Sequence, residues 1–300
     1  MKVIKVKKKK KTSERVFDFF VYAFAIGLML LIVYPLWFVI IASFSDPADV
    51  ANGNVWFWPK VWKLDGYEKL FEQRLIWRSY LNTIFYTFAG TLFALFVNIP
   101  AGFVLTRKEM LGHKYLVWFY IIPMFFGGGL IPTYLVVNKL GLVDTIWVMI
   151  VPFSVSTFNI IVVRTFFQNN IPDGLWEAAQ IDGSGVIRYF FQMVLPLSKA
   201  VLAVIGLWTA VGIWNSWFNA LIYLRNEDLQ PLQLILRRML INNQVLMKST
   251  SAGNLAAELR ALADMMKYAS IVVSTAPIMM LYPFLQKYFN QGVMIGALKE

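Results

Sequence analysis

Residues 177–200 read EAAQIDGSGVIRYFFQMVLPLSKA: a polar turn of helix, an Asp-Gly break and a second apolar segment, set between long charge-free runs. Pro172 suits a first helical turn, Asp173 and Glu177 favour the positive N-terminal end of a helix, and Asp182-Gly183 is a stop in which Gly183 can take a positive φ. The spacing predicts a helix of about two to three turns, too short to persist alone in water, so something must hold it. Ala178 and Ala179 leave a low surface beside Glu177 that a partner protein can approach closely. From Ser184 onward, Val186, Phe190 and Met193 recur at near-helical spacing as an apolar stripe. Pro196 then disfavours helix at Leu195 and separates this segment from the apolar run that begins at Ala200.

The residues around the stretch decide the class of protein. Hydrophobic residues make up 58% of the chain and charged residues only 15%, a balance that soluble domains do not have. Six runs lack Asp, Glu, Lys, Arg and His: Phe19 to Ser45, Ser79 to Thr106, Tyr115 to Asn138, Thr145 to Val163, Ala200 to Leu224 and Tyr268 to Gln286. Each is long enough for the ~20 residues of helix that cross a hydrocarbon core. The expectation is an all-α, polytopic membrane protein with six transmembrane helices. Gly127, Gly128 and Gly129, between Pro123 and Pro132, suggest a broken third span or an external turn.

MKVIKVKKKKK opens the chain as a basic n-region, but the apolar run behind it is too long for a cleaved signal. The lysines place the N-terminus in the cytoplasm by the positive-inside rule and lie against anionic headgroups. Six crossings then bring the C-terminus inside as well, together with Arg107 to Lys114 and Arg164 to Lys199. Those cytoplasmic segments hold 16 Lys and Arg against 7 Asp and Glu, whereas the external ones hold 12 against 10, which favours this orientation. The organisation read from the chain is a basic cytoplasmic tail at 1–17, a six-helix transmembrane domain at 18–290 with a cytoplasmic loop at about 164–199, and a cytoplasmic tail at 291–300. The expected location is a cytoplasmic membrane crossed several times, with both termini inside.

Absences narrow the chemistry. There is no cysteine, and His113 is the single histidine, so thiol catalysis, disulfides and a His or Cys metal cluster are excluded. No GxxxxGK[ST] phosphate loop occurs, so nucleotide hydrolysis by that route belongs to a partner. No charged residue lies inside the six runs, which argues against a proton relay or an ion-coupled site.

The spacing EAA, three residues, Gly, nine residues, Ile, one residue, Leu-Pro is the cytoplasmic signature of ABC importer permeases. This chain resembles it at Glu177, Ala178, Ala179, Gly183, Leu195 and Pro196, with Met193 in place of Ile. The closing QKYFNQGVMIGALKE resembles the second permease subunit of maltose-type carbohydrate importers. FFGGGLIPTYLVVNKLGLVDT resembles the branch linked to oligosaccharide and polysaccharide uptake. The resemblance implies a type I ABC importer permease fold and a heterodimer with a homologous permease. It also implies two cytoplasmic ATPase subunits that use ATP and Mg, and an extracytoplasmic sugar-binding protein; the chain itself binds no cofactor and is no enzyme. By resemblance the loop is a coupling helix, in which Glu177 meets a basic group of the ATPase, Ala178 and Ala179 pack, Gly183 makes the bend after Asp182, and the tail after Gly292 also touches the ATPases.

For a substrate path, Trp208, Gly212, Asn215 and Asn219 fall at helical steps on one face of the fifth run, with Trp214, Trp217 and Phe218 nearby. Aromatic faces stack on sugar C–H surfaces and amides bond hydroxyls, but the same residues also serve helix packing and an interfacial aromatic belt. Asn82, Asn98 and Asn159 are further uncharged polar candidates. The loop with Trp56, Trp58 and Trp62 and the amphipathic PLQLILRRML offer docking surfaces on the outer side. Two rivals remain: a permease for a non-sugar solute such as peptide or phosphate, which shares the coupling loop, and a membrane-embedded lipid or glycan enzyme, which requires carboxylates or basic groups at the membrane edge.

Overall fold

The computed structural model describes residues 12–249 and 263–280. The lysine-rich tail, the segment after Gly292 and the end of the sixth run therefore lie outside the described residues. The described residues divide into two compact units, one of residues up to 70 with 246–249 and 263–273, the other of residues 71–245 with 274–280.

In the first unit, α1 (Thr12–Ser43) carries the first apolar run as one helix of 32 residues with Pro35 inside it. Its outward side chains are apolar almost throughout, and only its last turn is buried, at Ile41, Ala42 and Ser43. A small polar knot closes that end. Ser43 Oγ lies 2.8 Å from the Tyr67 hydroxyl, and Lys63 N–H donates to Phe44 O at 2.9 Å. Asp46 caps α2 (Pro47–Ala51) by accepting the Ala48 N–H, and it pairs with Lys63 at 2.6 Å. The Lys63 ammonium, with the Ala48 amide, holds the Asp46 carboxyl below the usual carboxylate range. α3 (Asp65–Phe71) packs Gly66 so close to the Met265 backbone that a Cβ there would meet it at 3.0 Å.

The second unit is organised by α4 (Arg74–Val104), with α1 one of two unbroken helices among the described residues long and apolar enough to cross a membrane. Gly90, Ala94, Asn98 and Gly102 recur every four residues and are all buried, so one stripe of the helix is small. Small residues let backbones approach where no hydrophobic gradient drives helices together. A Cβ at Gly102 would lie 2.5 Å from Val163 Cγ1, and one at Gly90 2.5 Å from Ile213 Cδ1. The opposite face exposes Trp77, Leu81, Phe88, Leu92 and Phe96, the inverse of a water-soluble helix.

α5 (His113–Phe125) and α6 (Leu130–Lys139) divide the third run at the glycine triplet. Gly129 has φ +82°, a conformation glycine adopts without penalty. The fourth run departs from the single helix expected of it. A 3-10 turn at Ile146–Met149 leads into a non-helical stretch, and α7 (Thr157–Asn170) begins only at its far end. Asn98 on α4 stabilises the unwound backbone, its Nδ2 donating to Ser154 O at 3.4 Å and its Oδ1 accepting from Ser156 N at 3.3 Å. A buried amide that replaces missing helical bonds is what keeps irregular backbone tolerable inside a protein.

α8 (Asp173–Ile181) is followed by α9 (Val186–Tyr189), a π-helical turn at Phe190–Val194 and α10 (Leu195–Leu197). The expected break before Pro196 is displaced. Leu195 is helical at φ −62° and ψ −45°, and the chain turns instead at Ser198, bending the segment by 80° against α11 (Lys199–Trp214). Pro196 lies one residue before the end of the helical run Val186–Leu197, where its missing N–H interrupts the ladder, and the bend falls two residues later. The π turn also breaks the anticipated stripe: Val186 is exposed, Phe190 is buried and Met193 is intermediate. α11 then stops at Trp214, and α12 (Trp217–Tyr223) begins after a two-residue interruption, so the fifth run is likewise two helices.

α13 (Leu232–Ser249) completes the named elements, and residues 263–280 are helical. Asn82 is not turned to a path: its Nδ2 donates to Asp228 O at 2.7 Å and Gln230 O at 3.1 Å, fastening α4 to the loop before α13. Within PLQLILRRML, Leu232, Leu234, Ile235 and Leu236 are buried, while Arg237 stacks on Trp217 at 3.6 Å. Among the described residues two helices, or three with the bent pair, meet the length and apolarity of a span.

Candidate functional site

α8 answers the question its own length poses. Pro172 stands just before the helix as its N-cap, φ −64° and ψ 139°, and Asp173 lies in the first turn where the helix end is positive. At the other end Gly183 takes φ +72°, its N–H donates to Gln180 O at 3.0 Å, and the Ser184 N–H donates to Ala179 O at 2.8 Å. These paired bonds are a Schellman closure, which satisfies the last carbonyls and turns the chain sharply.

The helix is held by its inner face. Ala179 is fully buried in a cluster with Phe103, Phe167, Tyr189 and Phe190, so its small side chain packs against this chain and is not open to a partner. Trp176 meets the Tyr189 ring at 4.9 Å. Arg107, just beyond the end of α4, lies over Phe103 at 4.5 Å, Trp176 at 4.6 Å and Tyr189 at 5.1 Å. One guanidinium thus ties the second long helix to α8 and α9 through three ring faces. Its remaining charge contact is Glu109 at 3.8 Å, and its Nε has no hydrogen-bond partner among the described residues.

The outer face presents Glu177, Ala178, Ile181, Asp182 and Gly183, with Val186 and Ile187 beside them. Ile181 is 87% exposed and Ile187 76%, an apolar surface of the kind that a partner covers. Leu195 is partly buried and Pro196 exposed. Between the loop after α4 and the start of α8 lies a cavity of about 760 Å³ whose rim carries Arg107, Lys108, Asp173 and Glu177. Arg107, Trp176 and Tyr189 were not singled out by sequence reasoning. The readable signal was an arginine closing an apolar run and a tryptophan directly before Glu177.

A second cavity, of about 270 Å³, opens between α7, α11 and α12. Asn159, Trp208, Gly212 and Asn219 line it together. Asn215 does not, because the helix ends before it: its Nδ2 donates to Val211 O at 2.8 Å, sealing the end of α11. Ser154 and Thr209, which no sequence pattern singles out, line the same space with buried hydroxyls. Trp208 stacks on Phe158 at 5.9 Å.

A family model described as "Binding-protein-dependent transport system inner membrane component" matches residues 114–295, more than half of the chain. The chain belongs to that family. Similar proteins include a Bacillus subtilis relative named polygalacturonan/rhamnogalacturonan transport system permease protein YtcP, 36% identical over 290 residues, covering 96% of this chain and 99% of the relative. Protein LplC of the same organism is 38% identical over 285 residues, covering 95% of each. Among solved structures, a bacterial ABC transporter involved in import of the acidic polysaccharide alginate contains a similar chain. Its TM-score is 0.83 at 30% identity, with 94% of this chain and 100% of that one covered. This family member is therefore a permease subunit of an ABC importer and an inner-membrane component, with the type I permease fold. Its work is transport and not catalysis.

Proposed function

We propose that the chain is one of two homologous membrane subunits of an ATP-driven importer that takes up oligosaccharides handed over by an extracytoplasmic binding protein. The relatives named for galacturonan, alginate, melibiose and maltodextrin systems support a sugar substrate over peptide or phosphate. In this reading the chain crosses the bilayer six times as residues 18–290, with the tails at 1–17 and 291–300 in the cytoplasm. ATP and Mg are used by two cytoplasmic ATPase subunits and not by this chain.

The observation that carries the coupling part is the two-faced geometry of α8. Its inner face is locked through Ala179, Trp176 and Arg107, while Glu177, Ala178 and Ile181 face outward. A short helix clustered with Phe103 of α4 and Phe167 of α7 passes a push on its outer face to the long helices, as a coupling element must. Asp182, Gly183, Leu195 and Pro196 shape the exit from the helix. The sugar path in this reading runs past Asn159, Trp208, Gly212 and Asn219.

Two substitutions test it in the reconstituted complex. Glu177→Lys reverses the outward charge without touching the core. Gly183→Val places a β-branched residue at φ +72°, a conformation costing roughly 1–2 kcal/mol or more for such a side chain. Both are expected to leave the permease assembled and to lower sugar uptake per ATP hydrolysed. Wild-type coupling in both variants refutes the assignment.

A further inference from the structure

We infer that the strap at residues 53–64, which follows α1 and α2, is a lipid anchor: its aromatic side chains sit in the headgroup and glycerol layer of the bilayer and do not form a seat for the binding protein. The anchor is independent of the proposed sugar transport and of which side of the membrane this end of α1 occupies.

Trp56 is 65% exposed, Phe57 60%, Trp58 66% and Trp62 65%. Single apolar side chains on a surface need no explanation, but four large rings on one short segment call for a covering partner. The same segment carries Lys60 and Lys63 and no Asp or Glu.

The strap does not project from the end of α1 but folds back along its side. One end is fixed where the Lys63 N–H donates to Phe44 O at 2.9 Å and Trp62 bridges to Ser45. From there the rings run down the helix. Trp37 Nε1 donates to Phe57 O at 3.2 Å, the Trp37 and Trp58 rings meet edge to face at 5.7 Å, and Tyr34 meets Phe57 at 5.8 Å. Tyr34 and Trp37 lie about 9–14 Å along the helix from its last residue, Ser43, at 1.5 Å per residue. A protein approaching along the membrane normal meets the end of α1 and the polar knot there, whereas these rings lie along its flank. From Phe17 to Leu36 almost every large side chain of α1 is apolar and exposed, so the strap continues a surface that lipid covers in an inner-membrane component.

Two limits fix the depth. Phe19, which opens the charge-free run, and Trp37 are separated by about 27 Å of helix, so Trp37 stands near the far edge of a hydrocarbon core ~30 Å thick. Residues 54–64 form neither helix nor a named strand, and Pro59 lies among them. Irregular backbone facing hydrocarbon would leave its N–H and C=O groups without partners. The rings thus exclude bulk water and the backbone excludes the hydrocarbon. Between the two lies the layer that suits an indole, with its apolar body and single polar N–H. Lys60 is exposed among the rings and suits headgroup phosphates, with its methylene stem on the apolar side, while Lys63 is already paired with Asp46 at 2.6 Å.

The test uses the complete importer, its other subunits freed of cysteine, in nanodiscs of phosphatidylethanolamine and phosphatidylglycerol. A nitroxide is attached at Val61→Cys, an exposed position between Trp58 and Trp62, and Lys60→Cys repeats the reading at a second position; Asn52→Cys is the aqueous control. Collisions with oxygen, which concentrates in lipid, are compared with collisions with a nickel chelate, which stays in water. The oxygen-to-nickel ratio at 60 and 61 should be severalfold above that at 52, should match lipids labelled just below the headgroup, and should not change when saturating binding protein is added. Without label, Trp56→Ala combined with Trp62→Ala should leave binding-protein affinity within about twofold, whereas a tryptophan that anchors a protein interface is worth about 30-fold or more. A water-like ratio at 60 and 61, shielding from both reagents by a protein neighbour, shielding that appears only with binding protein, or a loss of affinity of that larger size overturns the anchor. Where the double variant does not assemble, the nitroxide readings decide alone.

Discussion

Replacing Gly102 by alanine should separate α4 from α7, and the structure sets the size of the effect. The new Cβ would lie 2.5 Å from Val163 Cγ1, 2.7 Å from Val163 Cβ and 3.0 Å from the Ile160 carbonyl oxygen. Val163 and Ile160 are 0% and 1% exposed, and a backbone oxygen cannot rotate aside, so the helices must move. Overpacking of this kind costs about 1–3 kcal/mol, and the contact with main chain places Gly102 at the upper end. Against it stands about 1 kcal/mol gained when alanine replaces glycine inside a helix. The net loss is about 1–2 kcal/mol. Controls are built into the same helix bundle: a Cβ at Gly206 meets only Leu95 and Thr91 side-chain atoms at 3.7 Å or beyond, so Gly206→Ala should be neutral or stabilising. At Gly90 the nearest atom is the far end of Ile213, a flexible tip, so Gly90→Ala should fall between the two. Residual monodisperse protein after heating, read by fluorescence-detected size exclusion, should give midpoints that fall in the order Gly206→Ala, Gly90→Ala, Gly102→Ala. The extremes should differ by several degrees, at about 2–4 °C per kcal/mol. Adding Val163→Ala to Gly102→Ala removes the overlapping methyl groups, and the double variant should lose less than the two single losses combined. Equal midpoints for Gly102→Ala and Gly206→Ala would refute the close approach of α4 and α7.

Arg107→Ala should loosen α8, since it removes a cation from three ring faces, an effect of about 0.5–2 kcal/mol; faster proteolysis within 173–189 and weaker ATPase coupling are the readouts. Arg107→Lys should be intermediate because an ammonium does not stack as a planar guanidinium does, and wild-type protease resistance in Arg107→Ala would count against the clamp. For topology, the natural absence of cysteine permits single-site labelling. An impermeant thiol reagent on intact cells should label Asn52→Cys and spare Ser184→Cys, and the reverse pattern is incompatible with the proposed orientation.

The membrane class, the first two long helices, the break at the glycine triplet and the stop at Gly183 were legible in the sequence. Each depends on local chemistry: apolarity over a run, proline and glycine conformational limits, and the cost of positive φ for other residues. The EAA spacing identified the family because its residues sit in one contiguous loop. Tertiary contacts decided the rest. The fourth run is apolar enough for a helix, yet Asn98, 56 residues before Ser154, offers its backbone other hydrogen bonds and it unwinds. The fifth run is equally apolar, yet it breaks at 215–216, which removes Asn215 from the face that it shares with Asn219 on paper. Ala179 read as partner surface until the rings of Phe103 and Tyr189 closed over it, and Arg107 read as an orienting charge until those rings met it. Ser154 and Thr209 carry no sequence signal at all, because an orphaned hydroxyl is a property of what surrounds it. Periodicity reports which residues share a face of one helix; which groups go unpaired, and which faces meet, depends on parts of the chain brought together only by folding.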